Sequence, residues 1–229
     1  MARETFEREL DKLQDDLLVL GSMVEQAVLA SIEALKQRDI EASEKIYDAD
    51  KYINLKRYEI EQATLTLIAT QQPMARDLRL LAAILEIITE LERIGDYAKG
   101  ISKINRLLGP EDLVKPLVDI PRMAELGLSM LQRALSAFVA RDADTARAIP
   151  NEDSVVDDLY NQVYRELLNI MIADPTKIDR ANYLVWVAHN LERLADRVTN
   201  ICERIVFVVT GEITELDQPD DNHTVTYNK

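Results

Sequence analysis

The sequence is short of glycine, with 6 in 229 residues, and short of aromatic residues, at 5%. Leu, Ala, Glu and Arg take their place, and that composition points to an all-α protein. A single cysteine, Cys202, excludes an internal disulfide framework. It falls on an apolar helical stripe, so it reads as a core residue rather than a nucleophile. Positive charge is scarce: 27 Lys and Arg against 41 Asp and Glu leave a net charge of −14. Phosphate contacts need Lys and Arg, so this balance argues against nucleic-acid binding. A cationic partner surface or bound metal ions fit better. No apolar signal region follows Met1, and no run approaches the ~18 apolar residues of a membrane span, so a cytoplasmic protein is expected. A Gly-rich phosphate loop, a zinc-ligand pattern and a nucleophile–base pair are also missing.

What is there is a heptapeptide that occurs twice. Glu90-Leu91-Glu92-Arg93-Ile94-Gly95-Asp96 is echoed by Asn190-Leu191-Glu192-Arg193-Leu194-Ala195-Asp196. Each copy lies within a segment of helical periodicity. At about 100° per residue, Leu80, Ile84, Ile87, Leu91 and Ala98 form one apolar stripe. Leu184, Leu191, Val198 and Cys202 form the matching one. The i, i+4 spacing puts Glu92 and Asp96 together on one flank of the first stripe, roughly 100–140° away, and Glu192 and Asp196 the same way against the second.

The rest of the chain repeats around these copies. Phe6, Leu10, Leu13, Leu17, Leu20, Val24 and Ala27 alternate spacings of four and three, a heptad seam on a helix over 3–38. A turn is expected at Arg38-Asp39, then a helix over 41–70 that Gln71-Gln72-Pro73 ends. A third helix runs over 74–108 until Gly109-Pro110 stops it. Pro110, Pro116 and Pro121 mark a linker over 109–121. A helix over 122–141 follows. There Ala137-Phe138-Val139-Ala140-Arg141-Asp142 echoes Ala34-Leu35-Lys36-Gln37-Arg38-Asp39. Asp153 to Asp157 then repeats Asp50 to Asn54. Pro150 should start or kink a fifth helix ending near Ala173. Asp174-Pro175 matches Gln72-Pro73, and a sixth helix over 176–210 stops at Gly211. Residues 212–229 read as a frayed polar tail. The expected architecture is two tandem, pseudo-symmetric three-helix bundles, over 1–108 and 122–211, born of an internal duplication.

A lone acid pair means little. With 41 acids, chance alone gives about seven pairs at i, i+4, and such charge usually makes a solvated face. Recurrence on matching helices raises the signal. Bundle helices can bring the pair on the third helix of each half to the polar pair on its middle helix, Asp50/Asn54 or Asp153/Asp157. Converging carboxylates repel one another unless a cation offsets them, and oxygen-rich sets suit hard cations, iron or manganese. Arg93 and Arg193 could instead form ordinary surface salt bridges.

These residues closely resemble the PhoU proteins. The resemblance rests on the duplicated Leu-Glu-Arg-x-x-Asp helices and Gln72-Pro73. It rests also on Asn200-Ile201-Cys202-Glu203-Arg204-Ile205-Val206 with Val209-Thr210-Gly211-Glu212, and it runs from Phe6 to Glu212. It implies a pair of three-helix bundles with metal clusters, of iron or another divalent cation, held by acid pairs. The implied metal ligands are Asp50, Asn54, Glu92 and Asp96 in the first half. In the second they are Asp153, Asp157, Glu192 and Asp196. The implied role is not catalytic. It is to restrain the high-affinity phosphate transporter through its ATPase subunit and to relay phosphate status to a sensor histidine kinase. The expected protein is a cytoplasmic homodimer that meets the membrane only through its partners. Asn54 departs from the family pattern by replacing an acid. Tyr97 and Arg197 stand where a histidine is common.

Two other readings compete. A carboxylate-bridged metal enzyme would use Glu-x-x-His pairs, but neither His189 nor His223 has Glu three residues before it. A structural coiled-coil adaptor would leave the acids merely solvated. His189 reads as a helix-surface residue, and Tyr47, Tyr52 and Tyr58 as packing residues or a partner patch, packing being the default.

Overall fold

The structure, a computed structural model, describes residues 2–216, and among these no strand occurs. Helix α1 spans Ala2–Gln37, α2 Ile40–Gln71 and α3 Ala75–Leu108. The second half holds α4 over Asp119–Ala140, a short α5 over Ala143–Ala148, α6 over Asp153–Ala173 and α7 over Ile178–Thr210. Helices α1, α2 and α3 pack on one another, as do α4, α6 and α7. Residues 217–229 of the expected tail lie outside the described residues. Leu216 is not frayed: its N–H donates to Glu203 Oε1 at 3.0 Å, and its side chain packs on the core.

The two Arg-Asp turns show how the duplicated sequence makes the duplicated fold. Arg38 and Arg141 both take the left-handed backbone, with φ of 60° and 57°. That reverses the chain in one residue. The following acid then caps the next helix. Asp39 Oδ1 accepts from Ala42 N–H at 2.8 Å, and Asp142 Oδ1 accepts from Thr145 N–H at 3.0 Å. Gln72, at φ 46°, ends α2, and Gly211, at φ 82°, ends α7.

Three boundaries differ from the sequence expectation. Helix α4 begins at Asp119, three residues before Arg122, so Pro121 lies in its first turn. Proline is tolerated there because a first-turn N–H has no partner within the helix. The expected fifth helix is broken. Pro150 sits in a 3₁₀ turn, Ile149–Glu152, between α5 and α6. A second 3₁₀ turn, Pro175–Lys177, precedes α7, and Asp174 caps it.

The seam of α1 is buried at Phe6, Leu10, Leu13, Leu17, Leu20 and Val24, but Ala27 is only partly buried. Val28, Ile32 and Leu35 continue the buried line instead. A straight helix of 3.6 residues per turn drifts against a 3.5 repeat, so the core-facing position slips by one residue. The sequence expectation of no membrane-length apolar stretch also needs correction. Within Glu4–Gln37 an 18-residue window reaches a mean hydropathy of 1.5. Leu17, Leu20, Val24 and Val28 within it are fully buried against the other helices, which accounts for its apolarity as core.

Both expected apolar stripes lie in the core. Ile84, Ile87, Leu91 and Ala98 are fully buried, as are Leu184, Val198 and Cys202. Burial pushes the Cys202 thiol up to about 12, so it stays protonated and inert. Helix α3 runs against α7 more extensively than any other helix pair meets, and one hydrophobic core continues through both halves. Asn190 approaches Gly100 so closely that a β-carbon there would lie 3.2 Å from Asn190 Nδ2. Glycine keeps this contact open where the halves meet.

The halves are not copies in detail. Buried Asn105 donates through Nδ2 to Ala34 O at 3.0 Å, to Ser43 Oγ at 2.9 Å and to Asp39 O at 3.3 Å. One amide thereby holds the α1–α2 turn to α3. Ile205, 100 residues on, occupies the same place in the second heptad frame. Asn105→Leu should therefore cost about 1–3 kcal/mol, because acceptors buried at the turn lose a donor. The check is urea denaturation, with a lower midpoint and an unchanged slope expected.

Candidate carboxylate sites

In the first half, Glu92 and Asp96 occupy the flank of α3 that faces α2, the helix bearing Asp50. Asp50 is 5% exposed. Its buried position arises because it lies three residues before core residue Ile53, one turn along the same face of α2. The Glu92 carboxyl is pushed upward, first by burial and then by the Asp96 charge. Asp50 raises it further, while Arg57 and Arg93 pull it down. Asp96 is pushed up by burial and by Asp50, against the pull of Lys99. The three acids thus sense one another across the α2–α3 seam.

Lys99 is the residue that sequence reasoning missed. Its Nζ donates to Asp50 Oδ2 at 2.7 Å. Asn54 Nδ2 donates to the same oxygen at 3.0 Å. Asp50 Oδ1 is buried without a hydrogen-bond partner. The sequence did carry a signal: Lys99 follows Asp96 by three residues, which places it on the same helix face.

In the second half, Glu192 is raised to about 7. Burial is the largest cause, followed by the Asp196 charge on the same helix and the Asp157 charge from α6. Arg193 and Arg197 pull it down. Asp153 lies one turn before Asp157, at the start of α6. His189 Nδ1 lies 3.2 Å from Glu192 Oε2, and its ring sits 6.0 Å from that of Tyr160. His189 is a surface residue, as expected, but it borders the site. The Tyr160 hydroxyl is pushed up by burial and by Glu192, so it too lies at the rim.

The arginines of the two heptapeptides serve other contacts. Arg93 Nη1 bonds Glu90 Oε1 at 2.8 Å. Arg193 lies 4.9 Å above the Tyr97 ring, across the α3–α7 seam. Arg197 Nη1 and Asn200 Nδ2 both donate to Glu90 Oε2 at 3.3 Å. Tyr97 and Arg197, the two positions that depart from the common histidine, thus join the halves. Two of the tyrosines overturn the packing expectation. Tyr52 and Tyr58 are each 56% exposed on α2, and each lies beside the cation that precedes it in sequence, Lys51 or Arg57.

Among the described residues, no three Asp, Glu, His or Cys side chains converge tightly enough to hold one ion as they stand. The donor chemistry differs between the halves. Glu192, Asp196 and Asp157 offer an all-oxygen set that suits a hard cation, and the upward push on Glu192 reflects charge that such a cation would offset. In the first half an ammonium already bonds the buried carboxylate, and Asn54 turns its amide nitrogen toward it. That set does not fit a metal.

Fold and site define an all-helical, internally duplicated protein with paired acidic faces on matching helices. The PhoU domain pattern matches residues 17–104 and 120–205. A phosphate-specific transport system accessory protein PhoU homolog of Clostridium acetobutylicum is 39% identical over 221 residues, covering 95% of this chain and 100% of the relative. Its namesake in Aquifex aeolicus is 34% identical, covering 91% and 94%. The crystal structure of the phosphate transport system regulatory protein PhoU from Streptococcus pneumoniae superposes with a TM-score of 0.85 at 32% identity, covering 91% of this chain and 99% of that one. PhoU from Pseudomonas aeruginosa superposes equally, at 0.85 and 32%, covering 90% and 100%. The chain belongs to the PhoU family.

Proposed function

We propose that this chain is a non-catalytic accessory protein of a phosphate-specific transport system. In this reading it restrains the high-affinity transporter through its ATPase subunit and relays phosphate status to a sensor histidine kinase. It acts in the cytoplasm, as a homodimer, and reaches the membrane only through those partners. Divalent cations, iron among them, would sit on the carboxylate face of the second half. The observation that carries the reading is the match of both repeats to the PhoU domain, with relatives named as accessory proteins along nearly the whole length. The net charge of −14 suits docking on basic surfaces, with salt-sensitive association. Tyr52, Leu55, Tyr58 and Leu65 give α2 an exposed face of the kind that partner contacts use.

The physical consequence is loss of a restraining contact when the protein is absent, with the transporter intact. Deletion should therefore free phosphate uptake and starvation-gene expression from control by external phosphate. Both are measured in wild-type and deletion cells grown in excess phosphate. Unchanged uptake together with unchanged expression would sink the reading.

A further inference from the structure

The two acidic faces differ at matched positions. Lys99 in α3 corresponds, 100 residues on, to Thr199 in α7, and Asn54 in α2 corresponds to Asp157 in α6. Each exchange makes the first half one charge more positive. The Lys99 ammonium reaches the most buried acid of its face, bonding Asp50 Oδ2 at 2.7 Å. Its pKa is raised, chiefly by the hydrogen bond it donates to Asp50, so it stays charged at neutral pH. An ammonium at that distance from a carboxylate supplies the positive charge that a metal would otherwise bring. The pair borders a cavity of about 270 Å³ between α1, α2 and α3, lined by Met23, Ala27, Ile53 and Gly95. That cavity is mostly apolar, with Gln26, Asp50, Tyr52 and Lys99 as its polar lining.

The second half keeps what the first has exchanged. Glu192, Asp196 and Thr199 stand at i, i+4 and i+7 on one face of α7. Thr199 is 3% exposed, and its hydroxyl oxygen is buried without a hydrogen-bond partner. It is a neutral oxygen donor at the place where Lys99 carries its charge. Asp157 adds its charge to the same face from α6.

We infer that the duplicated site has diverged: Lys99 is a built-in counter-ion that replaces a metal in the first half, and divalent cation binding belongs to the second half. The first face is then a permanent, metal-independent strut between α2 and α3. The second is the face whose charge a cation changes.

The test is metal content, so it stands or falls apart from phosphate regulation. Chelator-stripped full-length protein is loaded with Mn²⁺, desalted and assayed for metal per chain, with circular dichroism as the check on folding. The protein should keep the wild-type metal content when Glu92→Gln and Asp96→Asn are combined. It should lose it when Glu192→Gln and Asp196→Asn are combined. The paired change Lys99→Thr and Asn54→Asp should about double the bound metal by recreating the second-half set. Asn54→Asp alone, which keeps Lys99, should add none. Metal lost with the first-half acids, or gained by Asn54→Asp alone, would overturn the inference. So would a folded Lys99→Thr/Asn54→Asp protein with no gain.

Discussion

Leu91→Ala should lower the stability of the whole molecule, not of its first half alone. Leu91 is fully buried on α3, the helix that packs on α1 and α2 within its own half and on α7 across the seam. Truncating a buried leucine removes its transfer energy and leaves a cavity that neighbours fill only in part, which costs about 2–5 kcal/mol. Against a total of about 5–15 kcal/mol for a typical domain, that is a large fraction. The continuous core decides where the loss appears. If both halves unfold as one unit, a cavity in the first half lowers the midpoint read anywhere. Trp186, the one tryptophan, lies on α7 in the second half. Its fluorescence should therefore shift to lower denaturant together with far-ultraviolet circular dichroism. An unchanged Trp186 midpoint, with only part of the helical signal lost early, would mean that the halves unfold independently. Leu191→Ala, at the matching position of α7, should give the same coincident shift.

The coupling between halves was the part least legible in the sequence. Features that act within one helix or one turn were readable. Arg38-Asp39 and Arg141-Asp142 announce their turns because a cap follows a reversal, and that chemistry is local. Gly211 ends α7 as glycine does wherever the left-handed conformation is needed. The stripes through Leu91 and Leu191 follow from 3.6-residue periodicity. The Glu90 contacts with Arg197 and Asn200 join residues more than 100 apart, and no spacing rule reaches that far. Periodicity says that a face is buried, not which helix covers it.

The acidic faces were half legible for the same reason. The i, i+4 spacing correctly put Glu92 beside Asp96 and Glu192 beside Asp196, as their mutual electrostatic influence attests. The ammonium of Lys99 on Asp50 depends on how α2 and α3 approach, so the pair could not be read from either helix. Tyr52 and Tyr58 were misread because helix composition does not reveal that one face of α2 has no neighbour within the described chain. In α1 the small drift between 3.5 and 3.6 residues per turn was enough to move the buried position from Ala27 to Val28.

Glu192→Gln should make the metal-stripped protein more stable at pH 8 and leave it nearly unchanged near pH 4.5. The Glu192 carboxyl rises from its ordinary 4.5 to about 7, because burial and the charges of Asp196 and Asp157 all oppose ionisation. A carboxyl whose folded-state pKa lies above its unfolded one binds its proton more tightly when folded. Its protonated form favours folding, and that contribution is full below 4.5. It is lost as pH rises from 4.5 to about 7, and above that the penalty is constant. The full gap would correspond to about 3 kcal/mol. The side chain is 23% exposed, and solvent screening reduces the expected gain to about 1–2 kcal/mol. Glutamine keeps the shape without the charge, so it escapes the penalty at high pH and resembles the protonated acid at low pH. Urea denaturation of both proteins at pH 8 and pH 4.5, in chelator, gives the difference directly. A variant no more stable than wild type at pH 8 would show that the Glu192 charge is already offset within the folded chain. Loading with Mn²⁺ should reverse the ranking, since a cation held by Glu192 stabilises only the protein that can bind it.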